Sequence, residues 1–98
     1  MKILYINGKN ADKFDKYNKK YPVFAKYFSP GCPACIAMEN EWDEMCKDIE
    51  DKYDTDLLLA QINPDGIKGL EKRNTYSDVS YVPSLILLKD GKKVDEYN

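Results

Sequence analysis

The sequence predicts one α/β domain on a mixed sheet, parallel strands first and an antiparallel pair last, with helices against its faces. Three observations predict it. Short apolar runs bounded by turn residues alternate with longer stretches of helical period, the pattern of βαβ units. The last two runs are joined by Asp90-Gly91, a favoured two-residue hairpin loop. Finally, 98 residues, 43% hydrophobic and 33% charged, suffice for one globular core and not for two.

Taken in order, Lys2 to Asn7 alternates Ile3 and Tyr5 with Leu4 and Ile6 and stops at Asn7-Gly8, a short strand. From Asn10 to Lys20, Ala11, Phe14 and Tyr17 recur three or four apart among charges, an apolar stripe on a solvated helix that Pro22 stops. Val23 to Phe28 reads as a buried strand, with Lys26 awkward inside it. From Pro33 the period becomes 3.6: Cys35, Met38, Trp42, Met45, Cys46, Ile49 and Tyr53 share a face while Glu39, Glu41, Asp43, Glu44 and Lys47 point away. That is a long helix, about 30 Å if it runs about twenty residues. Leu57 to Ile62 is apolar except for Gln61, a third strand. Pro64-Asp65-Gly66 reads as a turn and Ile67 to Arg73 as one or two helical turns. Ser84 to Leu88 reads as a strand buried on both faces, and Lys92 to Tyr97 as its hairpin partner.

Composition narrows the function. A net charge of −2 with scattered lysines gives no field for nucleic acid. No apolar stretch approaches membrane-spanning length, and Ile3 to Ile6 is too short for a signal-peptide core, so the chain reads as soluble and unexported. The absence of histidine removes the commonest general base and most zinc sites. Three cysteines without an export signal fit a cytosol. The lysine, tyrosine and asparagine usage is that of an AT-rich genome; were the source viral, host cytoplasm or virion would be the compartment.

In open α/β sheets chemistry gathers where strands lead into helix N-termini, and one such junction, Ser29-Pro30-Gly31-Cys32-Pro33-Ala34-Cys35, carries two cysteines. With Pro33 at the first helical position, Cys32 becomes the N-cap. Its sulfur then faces unpaired amides and the positive helix end, which favour thiolate, the attacking species. Cys35, one turn on, is placed to resolve a mixed disulfide. Two other readings compete: half a zinc site, which needs four ligands where the chain has one further cysteine and no histidine, and a pair of unreactive structural cysteines. Cys46 and Trp42 read as core.

Tyr27-Phe28-Ser29-Pro30-Gly31-Cys32-Pro33-Ala34-Cys35 resembles the aromatic-rich strand and C-x-x-C elbow of the thioredoxin superfamily, and Val82 to Tyr97 resembles its cis-proline and hairpin segment, in thioredoxins and in disulfide-isomerase catalytic domains. The resemblance implies a thioredoxin-like fold over residues 1–98 and thiol–disulfide exchange without a cofactor beyond the dithiol. It implies Cys32 as attacking and Cys35 as resolving thiol. Pro83 becomes the cis-proline and Val82 the backbone that pairs with an extended substrate, with Gly31, Pro33 and Ile36 as an apolar rim. Expected partners are protein or small dithiol and disulfide substrates and a reductase or oxidase. A second reading is a non-catalytic thioredoxin-like module that binds through the Val82-Pro83 groove.

The chain also departs from the family. Gly31 stands where tryptophan usually precedes the first cysteine. Lys26 stands where a buried acid assists the resolving cysteine; its long stem lets the ammonium snorkel to solvent, the expectation here, whereas a cation left near the sulfurs would stabilise thiolates. Asn40 replaces the helix-kinking proline, so the long helix should run straighter. Pro33, the missing acid and Lys26 together imply a couple less reducing than thioredoxin. The family's final helix has no counterpart before Asn98, which leaves one side of the Leu85 to Leu88 strand uncovered and implies a longer parent chain.

Overall fold

The computed structural model describes residues 2–52, 57–72, 79 and 81–97. Tyr53 and Arg73, placed on helices above, lie outside them. Among the described residues five strands form one sheet in the order β1-β3-β2-β4-β5. β1 (Lys2–Ile6), β3 (Leu58–Ile62) and β2 (Val23–Tyr27) run parallel, and β4 (Ser84–Lys89) and β5 (Lys92–Tyr97) are antiparallel additions. The hairpin turns at Asp90 (φ 54°) and Gly91 (φ 78°), both in the left-handed region that a type I′ turn requires. The parallel strands and the antiparallel β4–β5 pair are as the sequence predicted, and β4 joins them through antiparallel pairing with β2.

Because side chains alternate along a strand, each sheet face builds its own core. One face carries Ile6, Val23, Ala25, Tyr27, Leu58, Ala60, Ile62, Ile86 and Leu88, covered by α1 (Ala11–Asn18) through Ala11 and Phe14 and by α4 (Pro64–Lys72) through Leu70. The other carries Phe24, Leu59 and Leu85 under α3 (Glu39–Lys52), which contributes Trp42, Met45, Cys46 and Ile49. Phe24 stacks obliquely on Trp42 (5.7 Å between centroids) and edge-on to Tyr97 (5.6 Å).

Three helix boundaries and one burial pattern differ from expectation. α1 ends at Asn18, where Lys20 and Tyr21 amides both bond Tyr17 O and close the helix before Pro22 is reached. The helix after Pro33 is two segments, α2 (Pro33–Ala37) and α3, separated at Met38 (φ −94°, ψ −2°). The Met38 amide bonds Cys35 O, three residues back, at 3.3 Å, so the turn tightens and redirects the chain without a proline. α4 begins at Pro64, not after Gly66. Asn63 caps it by accepting the Gly66 amide on Oδ1 at 2.8 Å, and proline at the first position costs no hydrogen bond. The β4 strand is buried only on the Ser84, Ile86, Leu88 side; Leu85 and Leu87 are half-buried, Leu85 packing against the Trp42, Cys46 and Leu59 cluster.

Candidate active site

The antiparallel register of β2 with β4 decides where the chemistry can gather. Tyr27 lies opposite Ser84, so the segment leaving β2 and the segment entering β4 are neighbours at one end of the sheet. The Phe28 amide continues the ladder to Ile62 O at 3.0 Å, and the Cys32 amide turns back to Ser29 O at 3.2 Å. The Ser84 hydroxyl donates to Tyr81 O, fixing the approach to β4. Between these anchors Cys32 meets Val82: the Cys32 thiol points at Val82 O, 3.7 Å away. The Val82–Pro83 peptide is cis.

Cys32 is the N-cap of α2, extended at φ −94°, ψ 114°, with Pro33 following at the start of the helix. Its sulfur accepts the Cys35 amide at 3.2 Å. The thiol is held below the ordinary range chiefly by the hydrogen bond from the Cys35 thiol, with the Cys35 and Ala34 backbone amides adding to it and partial desolvation opposing. With α2 only five residues long, these local donors, more than a macrodipole, carry the effect. Cys35 is shifted the other way. Burial pushes it up first, the bond with Cys32 second, while the Ser29 backbone and the Lys26 charge pull it down. Both sulfurs are free thiols. The pair is therefore asymmetric: a half-exposed sulfur inclined to thiolate and a buried one, 2% exposed, inclined to keep its proton.

The remaining candidates fall around this pair. Gly31 and Pro33 are exposed, Ile36 is 55% exposed, and Val82 and Pro83 are half-buried, all on the rim beside Cys32. A Cβ added at Gly31 would meet nothing within 4 Å, so the position is open. Tyr81, two residues before Pro83 and passed over by sequence reading, is 52% exposed. Lys26 does not snorkel. It is 1% exposed, with its Nζ 5.4 Å from the Phe28 centroid and 5.2 Å from that of Trp42. Cys46 is buried beside Trp42 and Leu59 as a core residue. Among the described residues no three His, Cys, Asp or Glu side chains gather as metal ligands would.

A family model described as Thioredoxin matches residues 5–98. Protein disulfide-isomerase 5-4 of Arabidopsis thaliana is 22% identical over 98 residues, covering 95% of this chain and 19% of that protein, so the chain spans about a fifth of the relative's length. Among solved structures, the first two thioredoxin domains of Saccharomyces cerevisiae Eps1p superpose with a TM-score of 0.72 at 18% identity, covering 88% of this chain and 32% of that one. Reduced Schistosoma mansoni thioredoxin pre-protein superposes with a TM-score of 0.62 at 18% identity, covering 99% and 85%. At such identities the two structures speak for the fold.

Proposed function

The chain belongs to the thioredoxin family, and on that premise we propose that it is a thiol–disulfide oxidoreductase acting on protein or small disulfides through Cys32 and Cys35. The observation that carries the reading is the asymmetry of the pair, with Cys32 Sγ bonded by the Cys35 amide and half-exposed beside Val82 O.

In the reducing direction, Cys32 thiolate attacks one sulfur of a substrate disulfide. A Cys32–substrate S–S bond forms and the substrate's own S–S bond breaks, its other sulfur leaving as thiolate. Cys35 then loses its proton to solvent and attacks Cys32 Sγ. The Cys32–Cys35 bond forms, the mixed disulfide breaks, and the substrate's second sulfur departs and takes up a proton. Two electrons have passed from dithiol to substrate. The oxidising direction reverses each step, and a reductase or oxidase partner would reset the couple. No redox group beyond the dithiol enters. The exposed Gly31 and Ile36 offer an extended segment an apolar rim, and the Val82 backbone a strand-like edge to pair with.

Insulin reduction by dithiothreitol, with and without catalytic protein, tests the reading. The wild type should accelerate precipitation, while Cys32→Ser abolishes the acceleration and Cys35→Ser accumulates a mixed disulfide visible by mass. A wild type as inert as both variants would leave a binding module in place of an enzyme.

A further inference from the structure

A cleft lies between the turn that ends β1 and helix α4, on the sheet face opposite α3. It encloses about 520 Å3, inside the roughly 300–1,000 Å3 typical of small-molecule sites. A pocket of about 400 Å3 between α1 and α4 continues it and shares Gly8, Lys9, Gly69 and Lys72 with it. Ile6, Ile62 and Tyr27 are level in the parallel register, so the turn after β1 lies at the same end of the sheet as the dithiol. The cleft nevertheless uses none of the residues around the sulfurs.

The walls are preformed. The Asn7 amide donates to Asn10 Oδ1 at 2.7 Å, the Lys9 amide to Asn7 Oδ1 at 2.8 Å and Asn10 Nδ2 to Tyr5 O at 2.8 Å, which pins the turn that carries Lys9. Two glycines set the spacing. A Cβ at Gly69 would lie 2.9 Å from Ala11 Cβ, and one at Gly8 would lie 3.3 Å from Asp65 Cβ, so turn, α1 and α4 come this close because neither position carries a side chain. A ligand entering the cleft is spared the cost of ordering it.

Three ammoniums line this space, Lys9 from the turn and Lys68 and Lys72 one helical turn apart on α4. Among the described residues none of the three is ion-paired, whereas Lys19 pairs with Asp15 and Lys93 with Glu96. Two carboxylates share the lining, Asp12 and Asp65. Each stands in the first turn of its own helix, where unpaired amides and the positive helix end already offset it. Of the lysines only Lys72 is offset in this way, by the last turn of α4. No aromatic or large apolar side chain lines either pocket, so recognition here falls to charge and not to a stacking surface. Lysine binds phosphate as a point charge. Three of them around a compact cleft suit a short chain of linked phosphates, whereas an extended peptide would call for a strand edge or apolar pockets.

We propose that this cleft binds an oligophosphate, either an inorganic chain or the phosphates of a nucleotide, through Lys9, Lys68 and Lys72. The site goes beyond the thiol–disulfide reading and does not rest on it.

The test is titration of the isotope-labelled protein with sodium tripolyphosphate at low ionic strength, followed by amide magnetic resonance spectra. Saturable shifts should centre on Gly8, Lys9 and Gly69 and weaken as salt is raised. Lys9→Gln, Lys68→Gln and Lys72→Gln change exposed side chains, so folding is not at stake. Each should weaken binding about threefold and all three together about thirtyfold, since exposed ion pairs contribute a few-fold each and separate contacts add. The same loss of charge elsewhere, Lys47→Gln with Lys89→Gln and Lys92→Gln, should leave binding at the wild-type level. ATP in place of tripolyphosphate distinguishes the sources: equal affinity supports a site for the phosphate chain alone, and tighter binding supports a site for a nucleotide. No saturable shift with either anion, or a loss in the control triple variant equal to that in the cleft triple variant, overturns the proposal and leaves a solvated groove.

Discussion

Gly66 in α4 is where a single methyl group should matter most to the fold. A Cβ built there lies 2.7 Å from Ile6 O, 3.1 Å from Ile6 C and 3.1 Å from Ile62 Cγ2. Carbon–oxygen contacts settle at about 3.3–3.6 Å, so Gly66→Ala must push α4 off β1 by about half an ångström or more, and a strand carbonyl cannot rotate away as a side chain could. The same carbonyl accepts the Asn63 amide at 3.1 Å, the bond that ties the start of α4 to β1. Overpacking of this kind costs about 1–3 kcal/mol and weakening that bond about 1 kcal/mol. Against this, alanine in a helix interior gains about 1 kcal/mol over glycine. The net expectation is a loss of about 2 kcal/mol, which for a domain of this size lowers Tm by about 8–16 °C. Calorimetry of wild type and Gly66→Ala measures it. Disulfide exchange per folded molecule should be unchanged, since α4 packs on the sheet face opposite α3. A variant with Tm equal to or above wild type would refute the close approach as the reason for glycine here.

Two predictions concern the sulfurs. Because Cys32 is held below the ordinary thiol range and Cys35 above it, thiolate at Cys32 persists as pH falls while Cys35 stays protonated. Iodoacetamide labelling mapped by peptide mass should modify Cys32 at the lowest pH, with Cys35 and Cys46 lagging; equal labelling of the three would contradict the asymmetry. The linkage has opposite signs at the two sites: the Cys32 contribution to stability of the reduced form is lost as pH falls through its folded pKa, and that of Cys35 as pH rises through its own. Equilibration in graded glutathione buffers should place the Cys32–Cys35 couple above the roughly −270 mV of thioredoxin, because a thiolate-stabilising arrangement favours the reduced form; a potential at or below that value rules this out.

How much of this was legible in the sequence depends on what each signal reports. Periodicity reports which way side chains face, and that sufficed for the strands, the hairpin and the placing of Cys32 at a helix start. It does not report continuity. Cys35 and Trp42 lie about two turns apart, so an unbroken helix and two segments divided at Met38 present the same apolar stripe. Turn residues were ambiguous for a similar reason. Asn63-Pro64-Asp65-Gly66 spells a turn, and the same residues spell a cap, a proline at the first helical position, an acid in the first turn and a glycine under a carbonyl. Only the closeness of β1, a tertiary fact, decides between them.

Lys26 is the instructive failure. Its length argued for snorkelling, and local sequence held nothing against that, since Trp42, one of the two rings that close its route, comes from a helix distant along the chain. A lysine that interrupts an apolar strand is normally discounted as a side chain that will find water. When the strand ends at a dithiol the discount is unsafe, because α2 and α3, which return over that face, carry the thiol, the aromatic ring and the carboxylates together. The elements that set the two sulfurs apart also enclose whatever charge the strand carries. A residue out of pattern in the strand leading to such a junction is therefore to be placed by what packs over that face, here the Phe28 and Trp42 rings, and not by the length of its own side chain.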